Sequence, residues 1–164
     1  MIVIVFGLPG SGKSYFATNL ANMIKAVYIN SDRVRRSLFA VRKYSTIEKQ
    51  SVYDEMVMQM NKALQQHENV VLDATFYTNN IRKKFLDAGN KINNIIFIEV
   101  KADESLIKER LNRPRKDSEA NFEVYKKIKK QWEPLDTDHL ILQSTDDNIT
   151  EMLEKTAAYL QLKE

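Results

Sequence analysis

The chain has 164 residues, a formal net charge of +3 and no cysteine. This length fits one ordinary domain, and a content of 43% hydrophobic and 29% charged residues excludes a disordered, collagen-like or membrane-embedded protein. Without cysteine, disulfides and thiolate metal sites are excluded, which suits a cytoplasmic protein. The longest apolar run is too short to cross a bilayer, so no membrane partner is expected. The composition sets no oligomeric state.

Strand-like and helix-like patterns alternate along the chain. A continuous β-branched apolar run, bounded by Gly7, is typical of a strand buried on both faces of a parallel sheet. Ser31 or Asp32 can cap the helix after the second strand, and Val41 continues its apolar stripe. In chain order, the pattern predicts strand 1–6, helix 13–24, strand 26–29, a helix from 31 or 32 to 41, helix 46–67, strand 69–73, helix 78–88, strand 95–100, helices 103–112 and 119–132, strand 139–142 and helix 146–160.

This alternation predicts an α/β fold with a five-stranded parallel sheet and helices on both faces, in a single domain over residues 1–164. The helical span between the second and third strands is long, which indicates an inserted layer that binds the substrate. Met56 and Met60 of that span have helical spacing and are predicted to pack in the core.

Three of the four glycines lie within six residues, directly after the first strand. The segment Gly7-Leu-Pro-Gly-Ser-Gly-Lys-Ser14 fits the pattern G-x-x-x-x-G-K-[ST], whose backbone N–H groups surround phosphate oxygens at the positive end of a helix. Lys13 can reach the β- and γ-phosphates, and the Ser14 hydroxyl can bind Mg²⁺. The alternative is a glycine turn that only joins a strand to a helix. We therefore predict a nucleoside triphosphate site formed by Gly7, Pro9, Gly10, Ser11, Gly12, Lys13 and Ser14.

A second metal ligand is predicted at the end of the third strand. Asp73 follows the apolar run Val70-Val-Leu, as does a carboxylate that approaches Mg²⁺ from a neighbouring strand. The alternative is that Asp73 caps the turn after the strand. Ala74 stands where an ATPase that activates water would carry a glutamate, so the sequence favours transfer to a bound acceptor.

Acidic and basic residues follow the second strand, which opens on the same crevice as the phosphate loop in a parallel sheet. Asp32 can accept the proton of an attacking hydroxyl, and Arg35, one helical turn further, can hold an anionic group of the substrate. The alternative is a helix cap with a solvated basic face.

A basic cluster surrounds Pro114 between two predicted helices. It predicts a mobile lid over about residues 110–120, whose arginines cover the phosphates in the manner of an arginine finger. The alternative is a solvated connection between helices. The residues of the cluster are Arg110, Arg113, Arg115 and Lys116.

Together these segments resemble a known family. The chain is similar, up to about Pro134, to small P-loop kinases related to the kinase domain of phage polynucleotide 5′-kinase. The segments that carry the likeness are the phosphate loop, Asn30-Ser-Asp-Arg-Val-Arg35, Val70-Val-Leu-Asp-Ala-Thr75, Arg82 and Glu109-Arg-Leu-Asn-Arg113.

The resemblance implies a three-layer P-loop NTPase fold with a helical lid. It also implies that Lys13 and Ser14 serve ATP and Mg²⁺, that Asp32 is the general base, and that Arg35 contacts the acceptor's phosphate. The lid arginine would be Arg110 or Arg113.

The resulting hypothesis is an ATP-dependent phosphotransferase, with a polynucleotide 5′-OH end as the favoured hydroxyl acceptor. Ten basic residues between Lys101 and Lys130 favour a nucleic acid, and Tyr44, Phe76 and Tyr77 can stack on a base or pack in the core. Because the family also acts on other acceptors, a small-molecule alcohol and aminoacyl-tRNA stay open.

Two alternatives come from other classes of protein. A GTP-dependent switch needs Asp-x-x-Gly and Asn-Lys-x-Asp, and the nearest segments, 87–89 and 90–93, do not fit. The second alternative is a non-catalytic module that binds nucleotide.

Overall fold

The computed structural model describes residues 1–89, 94–114 and 119–161. Arg115 and Lys116 of the predicted lid, and the 90–93 segment, lie outside the described residues. The strands are β1 (Ile2–Phe6), β2 (Val27–Asn30), β3 (Val70–Asp73), β4 (Ile95–Lys101) and β5 (Leu140–Gln143). The helices are α1 (Lys13–Met23), α2 (Ser31–Leu38), α3 (Thr46–Gln65), α4 (Asn79–Gly89), α5 (Glu104–Leu111), α6 (Phe122–Lys130) and α7 (Ile149–Gln161).

The strands form a parallel sheet in the order β2-β3-β1-β4-β5. This confirms the predicted five-stranded α/β fold. Of the described helices, α3 and α4 pack on one face and α1 and α7 on the other. β1 explains why both faces need a cover: Ile2 and Ile4 point into one hydrophobic cluster, and Val3 and Val5 point into the other.

The predicted methionine stripe of α3 is part of the first cluster, where Met56 and Met60 have no exposed surface. Between β2 and β3 the chain forms α2 and α3, which are the predicted helical insertion. No helix within the described ranges is long and apolar enough to span a membrane.

Several helix ends differ from the prediction, among them the start of α7 at Ile149 and not at residue 146, and local backbone structure explains three of the differences. Neither Ser31 nor Asp32 caps α2; the cap is Asn30, whose Oδ1 accepts from the Arg33 amide at 3.0 Å. α2 ends at Leu38 because Phe39 is extended, which leaves Val41 outside the helix and 75% exposed.

The third difference is the start of α6, which begins at Phe122 and not at residue 119. Asn121 caps it by accepting from the Val124 amide at 3.1 Å. Glu119 therefore lies before the helix, where its side chain bonds to the α2–α3 loop.

The sheet order brings the predicted site residues to one edge. β1 lies between β3 and β4, so the loop after β1 lies at the centre of the carboxyl-end crevice. Asp73 is in register with Val5 on one side and with Asn30 on the other. The phosphate loop, Asp73 and the start of α2 therefore converge.

Candidate active site

The loop after β1 adopts backbone conformations that require glycine. Gly7 has φ +156°, and a Cβ there would lie 2.4 Å from the Val100 carbonyl oxygen. Gly12 has φ +90° and caps α1, and its Cβ would lie 2.7 Å from the Ser144 Oγ. The loop therefore packs closely against β4 and the segment after β5, and its glycines leave the N-terminal amides of α1 without a covering side chain.

Two cavities meet at Lys13 and Ser14, which line both of them. The β5-side cavity, of about 430 Å³, is bounded by the phosphate loop, the end of α5 and the segment after β5. The β3-side cavity, of about 240 Å³, is bounded by the start of α2 and by α3, β3 and α6. Its lining includes Pro9, Asp32, Arg35, Tyr44, Lys49, Tyr53, Asp73, Tyr77, Glu119 and Lys127.

Asp73 has no exposed surface and lines the β3-side cavity. Its Oδ2 accepts hydrogen bonds from the Tyr28 hydroxyl at 2.6 Å and from the Asn30 amide at 2.7 Å. Burial, together with the nearby carboxylate, raises the pKa of Tyr28, so the phenol keeps its proton. Among the described residues, Oδ1 has no hydrogen-bond partner. Asp73 and Ser14 line the same cavity, and a buried carboxylate oxygen without a partner together with a hydroxyl group fits the oxygen ligands that Mg²⁺ prefers.

Asn30 has two roles at the end of β2. Its Oδ1 caps α2 and its Nδ2 donates to Asp73. Because Asn30 supplies the cap, the capping alternative for Asp32 is wrong. Asp32 lies in the first turn of α2, half-buried in the wall of the β3-side cavity.

Arg35 lines the same cavity but is already paired. Its Nη1 donates to Glu48 Oε1 at 2.7 Å, and both side chains are less than a tenth exposed. Its guanidinium lies 4.6 Å from the centre of the Tyr44 ring, and its Nε has no partner in the described part of the chain. Burial raises the pKa of Glu48, whereas Arg35 and the amides of Lys43 and Tyr44 lower it by more. The pKa of Glu48 is therefore below its ordinary value.

The two candidate lid arginines differ in position. Arg110 donates to the Thr145 carbonyl at 2.9 Å, to the Ser144 Oγ at 3.2 Å and to the Gly10 carbonyl at 3.4 Å. The Arg113 side chain is 70% exposed and pairs with Glu109. Both line the β5-side cavity, but only the contacts of Arg110 join the phosphate loop to the segment after β5.

Two further residues from the sequence analysis lie away from the cavities. Phe76 has no exposed surface and packs against Tyr53 and Phe85, so it is a core residue and does not stack on a base. Arg82 is 1% exposed, and it donates to the Glu133 and Pro134 carbonyl oxygens. Its contacts hold the segment after α6 against α4.

Sequence reasoning missed several residues of the β3-side cavity because they lie on elements distant in sequence. Lys49 and Tyr53 are one turn apart on α3, a spacing that indicates a shared face only once α3 is placed. Glu119 is not part of any recognisable sequence motif. Tyr44 and Tyr77, for which the sequence left open stacking on a base or packing in the core, line the cavity.

Comparison with known proteins identifies the family to which the chain belongs. Residues 2–135 match the family model AAA_33, described as an AAA domain. Three solved structures similar to the chain are a sugar kinase from Janibacter sp., Kti12 from Chaetomium thermophilum in complex with ADP-AlF3, and the APS kinase CysC from Mycobacterium tuberculosis in complex with AMPPNP and APS.

The similarity to these structures covers nearly the whole of each chain at low identity. The sugar kinase has a TM-score of 0.75 at 14% identity, with 98% of this chain and 94% of that chain covered. Kti12 has a TM-score of 0.74 at 18% identity, with 96% of this chain and 98% of that chain covered. The APS kinase has a TM-score of 0.69 at 18% identity, with 98% of this chain and 96% of that chain covered. At these identities the likeness establishes the fold alone.

Proposed function

We propose that this chain, which belongs to the AAA domain family, transfers the γ-phosphate of ATP to the hydroxyl group of an acceptor. The observation that carries the proposal is the junction of two cavities at Lys13 and Ser14. A triphosphate in the β5-side cavity would end at this junction, and an acceptor in the β3-side cavity would present its hydroxyl to the terminal phosphate. Two of the similar structures are a sugar kinase and an APS kinase, which supports the same reaction class for this chain.

In this proposal the Asp32 carboxylate accepts the proton of the acceptor hydroxyl. The acceptor oxygen then bonds to the γ-phosphorus, the bond between that phosphorus and the β,γ-bridging oxygen breaks, and ADP leaves. Lys13 and the amides of the phosphate loop stabilise the charge that spreads over the phosphate oxygens. Arg110 positions the phosphate loop against the segment after β5. Mg²⁺, held by the Ser14 hydroxyl and the Asp73 carboxylate, would neutralise charge on the β- and γ-phosphates.

The polynucleotide 5′-OH end stays a prediction for the acceptor, supported by the lysines of α6. A second candidate is a small-molecule alcohol, and one observation favours it. Arg42 and Tyr44 of the α2–α3 loop both bond to Glu119, and this contact, the Glu119 bridge, closes one side of the β3-side cavity. A cavity that is closed on one side suits a small acceptor better than a polymer end.

The test uses γ-³²P-labelled ATP with two sets of acceptors, 5′-OH oligonucleotides and small alcohols. The wild type is expected to label at least one acceptor. Asp32→Asn is expected to reduce the rate of transfer by about 10²- to 10⁴-fold, the usual contribution of a general base, with unchanged ATP binding. Asp54→Asn, at an exposed aspartate of α3, is the matched control. Full transfer by Asp32→Asn would contradict the assigned role, and ATP binding without transfer to any acceptor would contradict the proposed function.

A further inference from the structure

We propose that the acceptor is a small molecule that carries an oxyanion group, a phosphate or a carboxylate, in addition to its reacting hydroxyl. The group would bind between Lys49 of α3 and Lys127 of α6, on two walls of the β3-side cavity. This inference rests on the proposed function, since it concerns the acceptor of that reaction.

The charges of the cavity lead to this conclusion. Glu48 neutralises Arg35, and Arg42 neutralises Glu119, so neither pair calls for a charged ligand. Neither Lys49 nor Lys127 makes an ion pair with any residue of the described ranges. Lys13 serves the triphosphate and Asp73 serves the metal in the proposed reaction. The charged groups that remain in the cavity wall are the ammonium groups of Lys49 and Lys127 and the carboxylate of Asp32. An anionic acceptor would balance the excess positive charge.

Lys49 is held in position for such a contact. Its ammonium donates to the Tyr77 hydroxyl at 2.7 Å, and it lies 5.0 Å from the centre of the Tyr77 ring. Tyr77 is only 8% exposed, so the phenol fixes the lysine at the wall of the cavity. An ammonium group has three donors, and this contact uses one of them. Two donors remain for an oxyanion.

Lys127 differs from its neighbours on α6. Lys126 pairs with Glu123 at 2.6 Å, and Lys129 pairs with Glu104 at 2.6 Å. Neither of these two paired lysines is part of the cavity wall, whereas Lys127 lines it together with Val124 and Ile128 of the same helix. The helix thus directs to the cavity a lysine that has no carboxylate partner in the described structure.

The volume of the β3-side cavity and the Glu119 bridge on one side of it point to a small acceptor. Its volume of about 240 Å³ corresponds to roughly eight water molecules at about 30 Å³ each, which is room for a molecule of monosaccharide size. Tyr53 and Tyr77 supply aromatic wall, and burial raises the pKa of Tyr53, so its hydroxyl stays neutral. The Glu119 bridge joins the α2–α3 loop to the segment before α6 and closes one side of the cavity, which leaves less room for a polymer than for a small molecule.

The test compares matched acceptors that differ in the anionic group: ribose with ribose 5-phosphate, gluconamide with gluconate, and a nucleoside with its 3′-monophosphate. Release of ADP gives kcat and KM for each. We expect kcat/KM to be about tenfold or more higher for the anionic member of the preferred pair. The preferred pair distinguishes phosphate from carboxylate, and a 5′-OH oligonucleotide is expected to be a poorer acceptor than the mononucleotide.

The variants Lys49→Met and Lys127→Met are expected to raise KM for the anionic acceptor by about 10- to 100-fold, with little change for its neutral partner. Lys126→Met, one residue away on α6 and paired with Glu123, is the matched control and is expected to leave KM unchanged. Lys49→Gln, which can still bond to Tyr77, provides a second variant in case the methionine variant is unstable. Equal kcat/KM for anionic and neutral acceptors, or equal KM for Lys127→Met and Lys126→Met, would overturn the inference.

A binding measurement separates this inference from the proposed function. The thermal midpoint of the protein with ADP and Mg²⁺ is measured with each of the six compounds. Selective stabilisation by an anionic compound, lost in Lys127→Met and kept in Lys126→Met, supports the anion site even if no transfer is detected. If phosphoryl transfer occurs but no anionic compound stabilises the protein, the proposed function stands and the anion site is wrong.

Discussion

The two oxygens of the Asp73 carboxylate have different environments. Oδ2 accepts two hydrogen bonds from β2, whereas Oδ1 is buried without a partner in the described residues. An unsatisfied buried oxygen costs free energy unless a ligand completes it. Tyr28 and Asn30 fix the orientation of the carboxylate, as outer-shell groups do for metal ligands.

Asp73→Asn is expected to weaken the Mg²⁺-dependent binding of ATP, because an amide lacks the charge and would place a donor near the Tyr28 hydroxyl or the Asn30 amide. The concentration of Mg²⁺ that half-saturates binding of a fluorescent ATP analogue should rise by at least about 100-fold. Tyr28→Phe should raise it by about tenfold, within the range typical of outer-shell partners. An unchanged Mg²⁺ requirement in Asp73→Asn would contradict the metal role.

Individual site residues were predictable where the chain itself places them. Asp73 ends one strand of a parallel sheet and Asp32 follows another, so the sequence predicts that both lie at its carboxyl edge. The partner of Arg35 was not predictable in this way. Glu48 lies 13 residues further along the chain, and only the turn through Tyr44, with φ +54°, brings the two side chains together.

Among the secondary-structure elements, the Glu119 bridge links α2 and α3 to the start of α6. The hydrogen bonds from Arg42 and Tyr44 lower the pKa of Glu119 from 4.5 to about 2. Burial and this carboxylate raise the pKa of Tyr44 to about 12. Between about pH 2 and pH 4.5, Glu119 binds more protons in the unfolded chain than in the folded one. The bridge therefore contributes stability above about pH 4.5, and this contribution is lost as the pH falls towards 2.

Glu119→Gln is expected to lower the thermal midpoint at pH 6 to 7, where the bridge is intact in the wild type. The difference between the two proteins should shrink as the pH falls from about 4.5 towards 2. Glu154→Gln, at an exposed position of α7, is the control. A difference that stays constant over this pH range would show that Glu119 acts through something other than its charge.

Helix and strand positions were predictable to within a few residues, because apolar spacing determines which residues face the sheet. The caps of α2 and α6 were not predicted, since both are asparagines that precede the helices, Asn30 and Asn121. Ser31 and Asp32, which directly follow Asn30, are also favoured capping residues, so the sequence did not single out Asn30. In the structure, its amide serves Asp73 and the helix together.

In the whole molecule, the sheet order explains why two cavities share one pair of residues. β1 is central, so Lys13 and Ser14 have the β2–β3 half of the sheet on one side and the β4–β5 half on the other. The pattern of strands predicted a five-stranded parallel sheet with a shared crevice at its carboxyl end, but not this strand order. The composition of the β3-side cavity was not predictable, because it combines Lys49 and Lys127, 78 positions apart in the numbering, on helices whose faces depend on tertiary packing.

The most direct test of the central claim is a crystal structure of the protein with Mg²⁺ and a non-hydrolysable ATP analogue. We expect the nucleoside to lie in the β5-side cavity near Arg110 and the terminal phosphate to lie at Lys13, facing Asp32 across the β3-side cavity. A nucleoside bound in the β3-side cavity, or a terminal phosphate directed away from Asp32, would contradict it.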